Sequence, residues 1–266
     1  MRELLPLIGI LTLLFTACSK DDDSSTTDPA EDLVLPKTIR YTYIDYPEDN
    51  SAVNVTYNEN KIVEVLGVDG SSKSVFTYDG DFISQIVDYD IDENGNEVFD
   101  FSNTYTYKDG KLSSALSKEV SSQDGTEFYV QKTVYSHDSD EYVSYVMYDV
   151  NEETNEETKY GEGRLYFKDG NLVKDEEFYE GESSYADTYE YDDKKSPLSN
   201  VLGYNLLLDN SKEISKNNVV KESFSYSSGE PNIDIYEYEY NEDGYPIKKT
   251  EIGDNGEDYI ITEYTY

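Results

Sequence analysis

The sequence predicts an all-β chain, a curved antiparallel meander closing toward a barrel or half-barrel. Three observations carry that reading. Aromatic residues alternate with polar ones, short polar turn sequences recur between the alternating runs, and helical spacing of apolar residues is confined to one segment.

The alternation is clearest in Tyr236-Glu237-Tyr238-Glu239-Tyr240, Tyr105-Thr106-Tyr107, Tyr189-Glu190-Tyr191 and Thr262-Glu263-Tyr264-Thr265-Tyr266. Period two gathers the rings on one face of a strand and the polar residues on the other. Tyrosine suits a half-buried face because its ring covers apolar surface while its hydroxyl reaches a partner. The turns repeat a pattern in which an aromatic residue leads an apolar one across a polar tetrad. Tyr57 leads Ile62, Tyr78 leads Ile83, Tyr107 leads Leu112 and Phe167 leads Leu172. A two-residue turn at Asp109-Gly110 sets Lys108 opposite Lys111 and Tyr107 opposite Leu112, and Asp169-Gly170 does the same for Phe167 and Leu172. Uneven spacing between these units argues for a meander with variable loops rather than a solenoid. Turn signals between Lys37 and Tyr266 suggest about 14 to 16 strands, a number that rarely stays flat.

One segment departs from period two. Ser196-Pro197 opens like a helix start, and Leu198, Val201, Leu202 and Leu206 follow at helical spacing. This predicts a short helix near 197–206 plugging an end of the curved sheet, weakened by Gly203.

The amino terminus has another character. Leu4 to Phe15 is a nearly unbroken apolar run of about 12 residues, long enough for a signal sequence and too short to span a bilayer. Phe15-Thr16-Ala17-Cys18 resembles a bacterial lipobox, which implies removal of residues 1–17 and lipidation of Cys18. Ser19-Lys20-Asp21-Asp22-Asp23 resembles the export tag of Bacteroidota lipoproteins, which implies the outer face of the outer membrane. Residues 18–32 then read as a lipidated acidic tether of about 20 Å end to end, and 33–266 as a single β domain. Membrane contact is expected through the Cys18 lipid, because two or more acyl chains anchor firmly. Cys18 is the one cysteine, so no disulfide forms within the chain.

With 58 acidic and 21 basic residues the net charge is −37, which repels nucleic acid. The 28 tyrosines and 9 phenylalanines argue for a folded acidic surface rather than disorder. The tyrosine hairpins also look like the tyrosine-aspartate repeats of RHS-type surface proteins. Together with the lipoprotein start, Tyr191-Asp-Asp-Lys-Lys-Ser-Pro-Leu198 and Tyr240-Asn-Glu-Asp-Gly-Tyr-Pro246, they resemble an uncharacterised family of Bacteroidota lipoproteins. That resemblance implies a porin-like β fold and a surface location, and no activity.

Candidate chemistry is sparse. Asp90, Asp92 and Asn94, followed by Gly95, match the opening of a calcium loop, but position 12 is Phe101 instead of glutamate, so a hairpin loop is the stronger reading. His137 is the one histidine, too little for a zinc site, and no nucleophile elbow is present. No cofactor and no enzymatic activity are expected. The polar residues opposite the tyrosines do not form the apolar band of a membrane barrel. The chain reads as a noncatalytic surface lipoprotein, a binding or structural module with an unknown glycan or protein ligand. The alternative is a glycan-binding accessory in nutrient capture, and a hydrolase is the weakest reading.

Overall fold

The computed structural model describes residues 33–120, 128–137, 139, 141–179, 181–226, 229–253 and 256–266. Residues 1–32, including Cys18 and the Ser19–Asp23 tag, lie outside them. Sixteen strands form one closed antiparallel barrel. They are β1 (Thr38–Tyr43), β2 (Ser51–Asn58), β3 (Lys61–Gly67), β4 (Ser72–Asp79), β5 (Phe82–Ile91), β6 (Glu97–Lys108), β7 (Lys111–Val120) and β8 (Phe128–Ser136), then β9 (Tyr142–Val150), β10 (Glu157–Lys168), β11 (Asn171–Tyr179), β12 (Glu182–Lys195), β13 (Asn217–Tyr226), β14 (Asn232–Tyr240), β15 (Pro246–Ile252) and β16 (Asp258–Thr265). Each pairs with its neighbours in sequence, and β1 closes the ring on β16 from Thr38 opposite Thr265 to Tyr43 opposite Ile260.

The hairpin pairings follow the aromatic-to-apolar spacing. Tyr107 pairs with Leu112 and Lys108 with Lys111 around Asp109 and Gly110, whose φ values are 52° and 77°. Phe167 pairs with Leu172, Tyr57 with Ile62 and Tyr78 with Ile83. Each of these hairpins also carries a bulge immediately after the pair. Ser84 and Ser113 are two of the extra residues, and their hydroxyls donate back to the carbonyls of Thr77 (3.1 Å) and Thr106 (2.8 Å). Bulges bend the strand and increase its twist, so their recurrence at one rim helps close the sheet.

The same rim is stitched by side chains. The Tyr107 hydroxyl donates to the Ile83 carbonyl at 2.9 Å, Tyr238 to Val219 at 2.9 Å, Tyr266 to Pro246 at 2.8 Å and Tyr57 to Pro36 at 2.8 Å. Tyr191 bonds the carbonyl of Leu172 in the same way. Each such bond ties the end of an even-numbered strand to the start of the odd-numbered strand before it. His137 occupies the equivalent place between β8 and β7, with Nε2 2.7 Å from the Leu112 carbonyl. A carbonyl can only accept, so Nε2 carries the proton there. The histidine is half-buried at this rim.

The expected helix near 197–206 is a run of turns followed by 3₁₀ helices at Tyr204–Leu206 and Leu208–Ile214. Gly203 is the physical reason. Its φ of +77° interrupts right-handed helix, and a Cβ at that position would meet the Asp81 carbonyl at 2.9 Å. The segment nevertheless plugs the stitched end. Leu202 N–H donates to the Asn60 carbonyl (2.9 Å), Lys216 N–H to the Gly170 carbonyl (3.1 Å) and the Asn200 amide to the Val34 carbonyl (3.0 Å). Val201, Tyr204, Leu207 and Ile214 are buried in one cluster with Ile62, Ile83, Leu112 and Leu172. The plug is thus part of the hydrophobic core, which continues down the lumen through Tyr105, Tyr145 and Tyr189.

Strand parity divides the remaining side chains between lumen and outer wall. The wall carries ion pairs on many strands, among them Lys73 with Glu64 and Glu97, Lys118 with Glu152, Lys132 with Glu157, Lys221 with Glu190 and Lys248 with Glu239. The Arg164 guanidinium lies over the rings of Tyr142 and Phe178, each at 4.9 Å. Such exposed pairs contribute at most about 1 kcal/mol each.

Inside, the Tyr145 ring packs across Gly163, its cross-strand partner. A Cβ on Gly163 would fall 2.3 Å from the Tyr145 ring and 2.6 Å from the Glu176 carbonyl, whereas one on Gly161 would meet only the flexible end of Met147. Gly163→Ala should cost about 2–3 kcal/mol of overpacking strain and Gly161→Ala much less, measured by urea denaturation; equal effects would contradict the packing described. Tyr107→Phe should lose about 1 kcal/mol by the same measurement, the contribution of one rim hydrogen bond.

Candidate luminal site

A carboxylate on the tyrosine face of a strand is the anomaly from which the lumen is built. In Tyr185-Ala186-Asp187-Thr188-Tyr189, residues 185, 187 and 189 share the inward parity, so Asp187 is carried inside with its neighbours. Its Oδ2 accepts from the hydroxyls of Tyr189 (2.7 Å) and Tyr185 (3.3 Å), while its Oδ1 is buried without a partner among the described residues. Opposite Tyr189 stands Glu222, which accepts from Tyr236 at 2.7 Å. Lys212 reaches in from the plug to pair with Glu222 and lies 3.1 Å from the Tyr236 hydroxyl.

The same unit recurs around the barrel. Tyr145 donates to Asp175 at 2.9 Å, and Tyr105 and the Asn103 amide each donate to Asp209 of the plug at 2.9 Å. Burial pushes the carboxyls up, Asp175 to about 6 and Asp187 to about 7, because a charged carboxylate is poorly solvated there. The Asp187 carboxyl is raised further by the neighbouring Glu222, whose own carboxyl is lowered. Burial likewise raises the luminal tyrosines, Tyr41 to about 12, so they remain donors.

Two spaces open into this lining. A partly open cavity of about 130 Å³ lies under the plug between β13, β14, β15, β16 and β1, with Lys212, Glu213 and Lys249 among its walls. A wider cleft of about 840 Å³ occupies the opposite mouth, where Phe224 and Tyr259 stand with Asp45, Asp234, Glu251 and Glu257.

The calcium-loop residues do not converge on these spaces. Asp92 turns its carboxylate onto its own hairpin loop, accepting from the N–H groups of Asn94 and Asn96, each at 2.8 Å, and from the Asn96 amide. Those donors hold its carboxyl below the usual range. Asp90 lies in β5 opposite Ser72 and Val98. Among the described residues no group of three or more His, Cys, Asp or Glu is placed to hold a metal ion. Sequence reasoning passed over Asp187, Glu222, Lys212 and Lys249, although the parity of Asp187 with Tyr185 and Tyr189 was a readable signal.

No family model and no curated relative matches the sequence. Among solved structures, the barrel is similar to a porin-like protein from Bacteroides vulgatus, with a TM-score of 0.60 at 12% identity over 88% of this chain and 99% of that one. A porin-like protein from Bacteroides uniformis matches at a TM-score of 0.47 and 13% identity, over 86% and 97% of the two chains. The first likeness gives a porin-like β fold.

The raised luminal carboxyls have a thermodynamic signature. A carboxyl raised from 3.8 to about 7 on folding keeps a proton that the unfolded chain releases, so the stability it lends is full at low pH. That stability is lost as pH rises through about 7. The melting temperature should therefore fall by several degrees between about pH 5 and pH 8, equivalent to roughly 1–2 kcal/mol. Asp187→Asn should flatten most of that slope, and an unchanged slope in the variant would show that the proton resides elsewhere.

Proposed function

We propose that this chain is an outer-membrane lipoprotein, anchored through Cys18 and facing the cell exterior, whose barrel is a noncatalytic binding or structural module standing in water. The observation that carries this reading is the outer wall. A bilayer-spanning barrel presents an apolar band, and a Lys or Arg at its midplane costs about 2–4 kcal/mol. This wall instead carries Lys73, Lys118, Lys132, Arg164, Lys221 and Lys248, most of them in ion pairs. The plug across one end also speaks against an open channel, although 16 strands are enough to enclose one. The Phe15-Thr16-Ala17-Cys18 sequence supports the anchor.

Residues 33–266, expressed alone, should stay monomeric in the aqueous phase of a detergent-partition experiment and conduct no ions across planar bilayers. The full chain should take up a palmitate label that Cys18→Ala loses. A fragment that needs detergent to remain dispersed, or a Cys18→Ala variant that is still labelled, would reject the reading.

The mouth cleft favours a second reading, the glycan-binding accessory. Aromatic faces beside carboxylate acceptors are the chemistry that recognises sugar rings and their hydroxyls, and Phe224 and Tyr259 supply the faces here. A glycan array probed with residues 33–266 should then give saturable hits that weaken about tenfold, roughly 1.4 kcal/mol, in Tyr259→Ala. An array without hits removes this reading and leaves the anchored module.

A further inference from the structure

The cavity beneath the plug contains polar groups that the fold itself leaves unmatched. Lys249 is carried inward on β15, in one cross-strand row with Tyr238 on one side and Thr262 on the other. Its ammonium makes no ion pair or hydrogen bond among the described residues, and its nearest aromatic contact is the Tyr236 ring at 5.2 Å. Burial disfavours its charge, while Glu251, Glu213 and Glu222 favour it and Lys212 opposes it. Lys212 is already matched by Glu222. Glu251 belongs to the mouth cleft on the other side. The two charges left on the cavity wall are therefore Lys249 and Glu213, one of each sign.

Glu213 comes from the plug and, among the described residues, accepts one long hydrogen bond, from Tyr204 at 3.4 Å. The buried Ser196 hydroxyl, also on the wall, has no partner among the described residues. Tyr41 and Tyr264 line the same space. Leu198 and Val219 supply its apolar surface. Lys249 is half-buried, where an unpaired charge is costly, while Glu213 is exposed and leaves its carboxylate accessible from the cavity. A bare anion would match Lys249 and repel Glu213, and a bare cation would do the reverse. A molecule carrying both charges matches both.

We infer that this cavity is a binding site for a small zwitterion, a short-chain α-amino acid, with the carboxylate on Lys249, the ammonium on Glu213 and the side chain against Leu198 and Val219. The volume agrees. About 130 Å³ is close to the roughly 150 Å³ engineered cavity that accepts benzene, which suits about five to eight non-hydrogen atoms. The inference rests on the barrel being a binding module and supplies a ligand class for it.

Titration calorimetry on the full chain in mild detergent tests it, with L-alanine, L-valine, propionate and propylamine as probes. Saturable binding of the amino acids is expected, with propionate and propylamine each at least tenfold weaker. Lys249→Met and Glu213→Gln should each abolish the amino-acid signal while circular dichroism and melting show a folded barrel. Absence of saturable heat with both amino acids would overturn the site, as would propionate binding as well as alanine or a Lys249→Met variant that binds normally. If either variant fails to fold, the comparison of the four probes on the unaltered chain decides. Failure here leaves the partition and labelling results untouched, so the two readings can be lost separately.

Discussion

The fold depends on the tyrosine hydroxyl that leaves one strand and bonds the backbone of its neighbour at the rim. A barrel of sixteen strands is too wide for side chains from its walls to fill. Without additional ties, its rim would be a ring of independent hairpins. Tyr57, Tyr107, Tyr191, Tyr238 and Tyr266 couple these hairpins to their neighbours, and His137 does so where a tyrosine is missing. The rings contribute apolar cover and the hydroxyls satisfy carbonyls that the bulges disturb. One residue type thus serves both packing and closure, which accounts for 28 tyrosines in a chain without tryptophan.

The plug follows from that arrangement. With the rim fixed, a loop of ordinary composition gains a socket made of Ile62, Ile83, Leu112 and Leu172, the apolar residues that follow the turns. Each repeat then acts twice: its aromatic residue joins neighbouring hairpins, and its apolar residue receives the plug. Deeper in, tyrosines change partner from backbone carbonyls to carboxylates, as at Asp175, Asp187 and Asp209.

Much of this was legible in the chain. The pairing of Tyr107 with Leu112 followed from turn geometry alone, because a two-residue turn leaves a single register. The strand number followed from the density of turns. The form of the plug was harder to read, since Leu198, Val201 and Leu202 have helical spacing while Gly203 requires a left-handed backbone that the pattern does not reveal. The luminal site was least legible. Glu222 and Lys249 look like any of the chain's many charged residues, and their inward direction depends on bulges that shift parity by one. Such a bulge is seen where Glu190 faces Lys221 and Tyr191 faces Val219.

Because β1 returns to β16, no strand of the barrel keeps a free row of amide and carbonyl groups. An exposed sheet edge would invite a further strand, whether from a peptide partner or from another copy in the first stages of amyloid growth. Here that route is shut on every side. Any companion molecule must be recognised through loops and side chains, and crowding of many such acidic barrels at a cell surface should not seed fibrils.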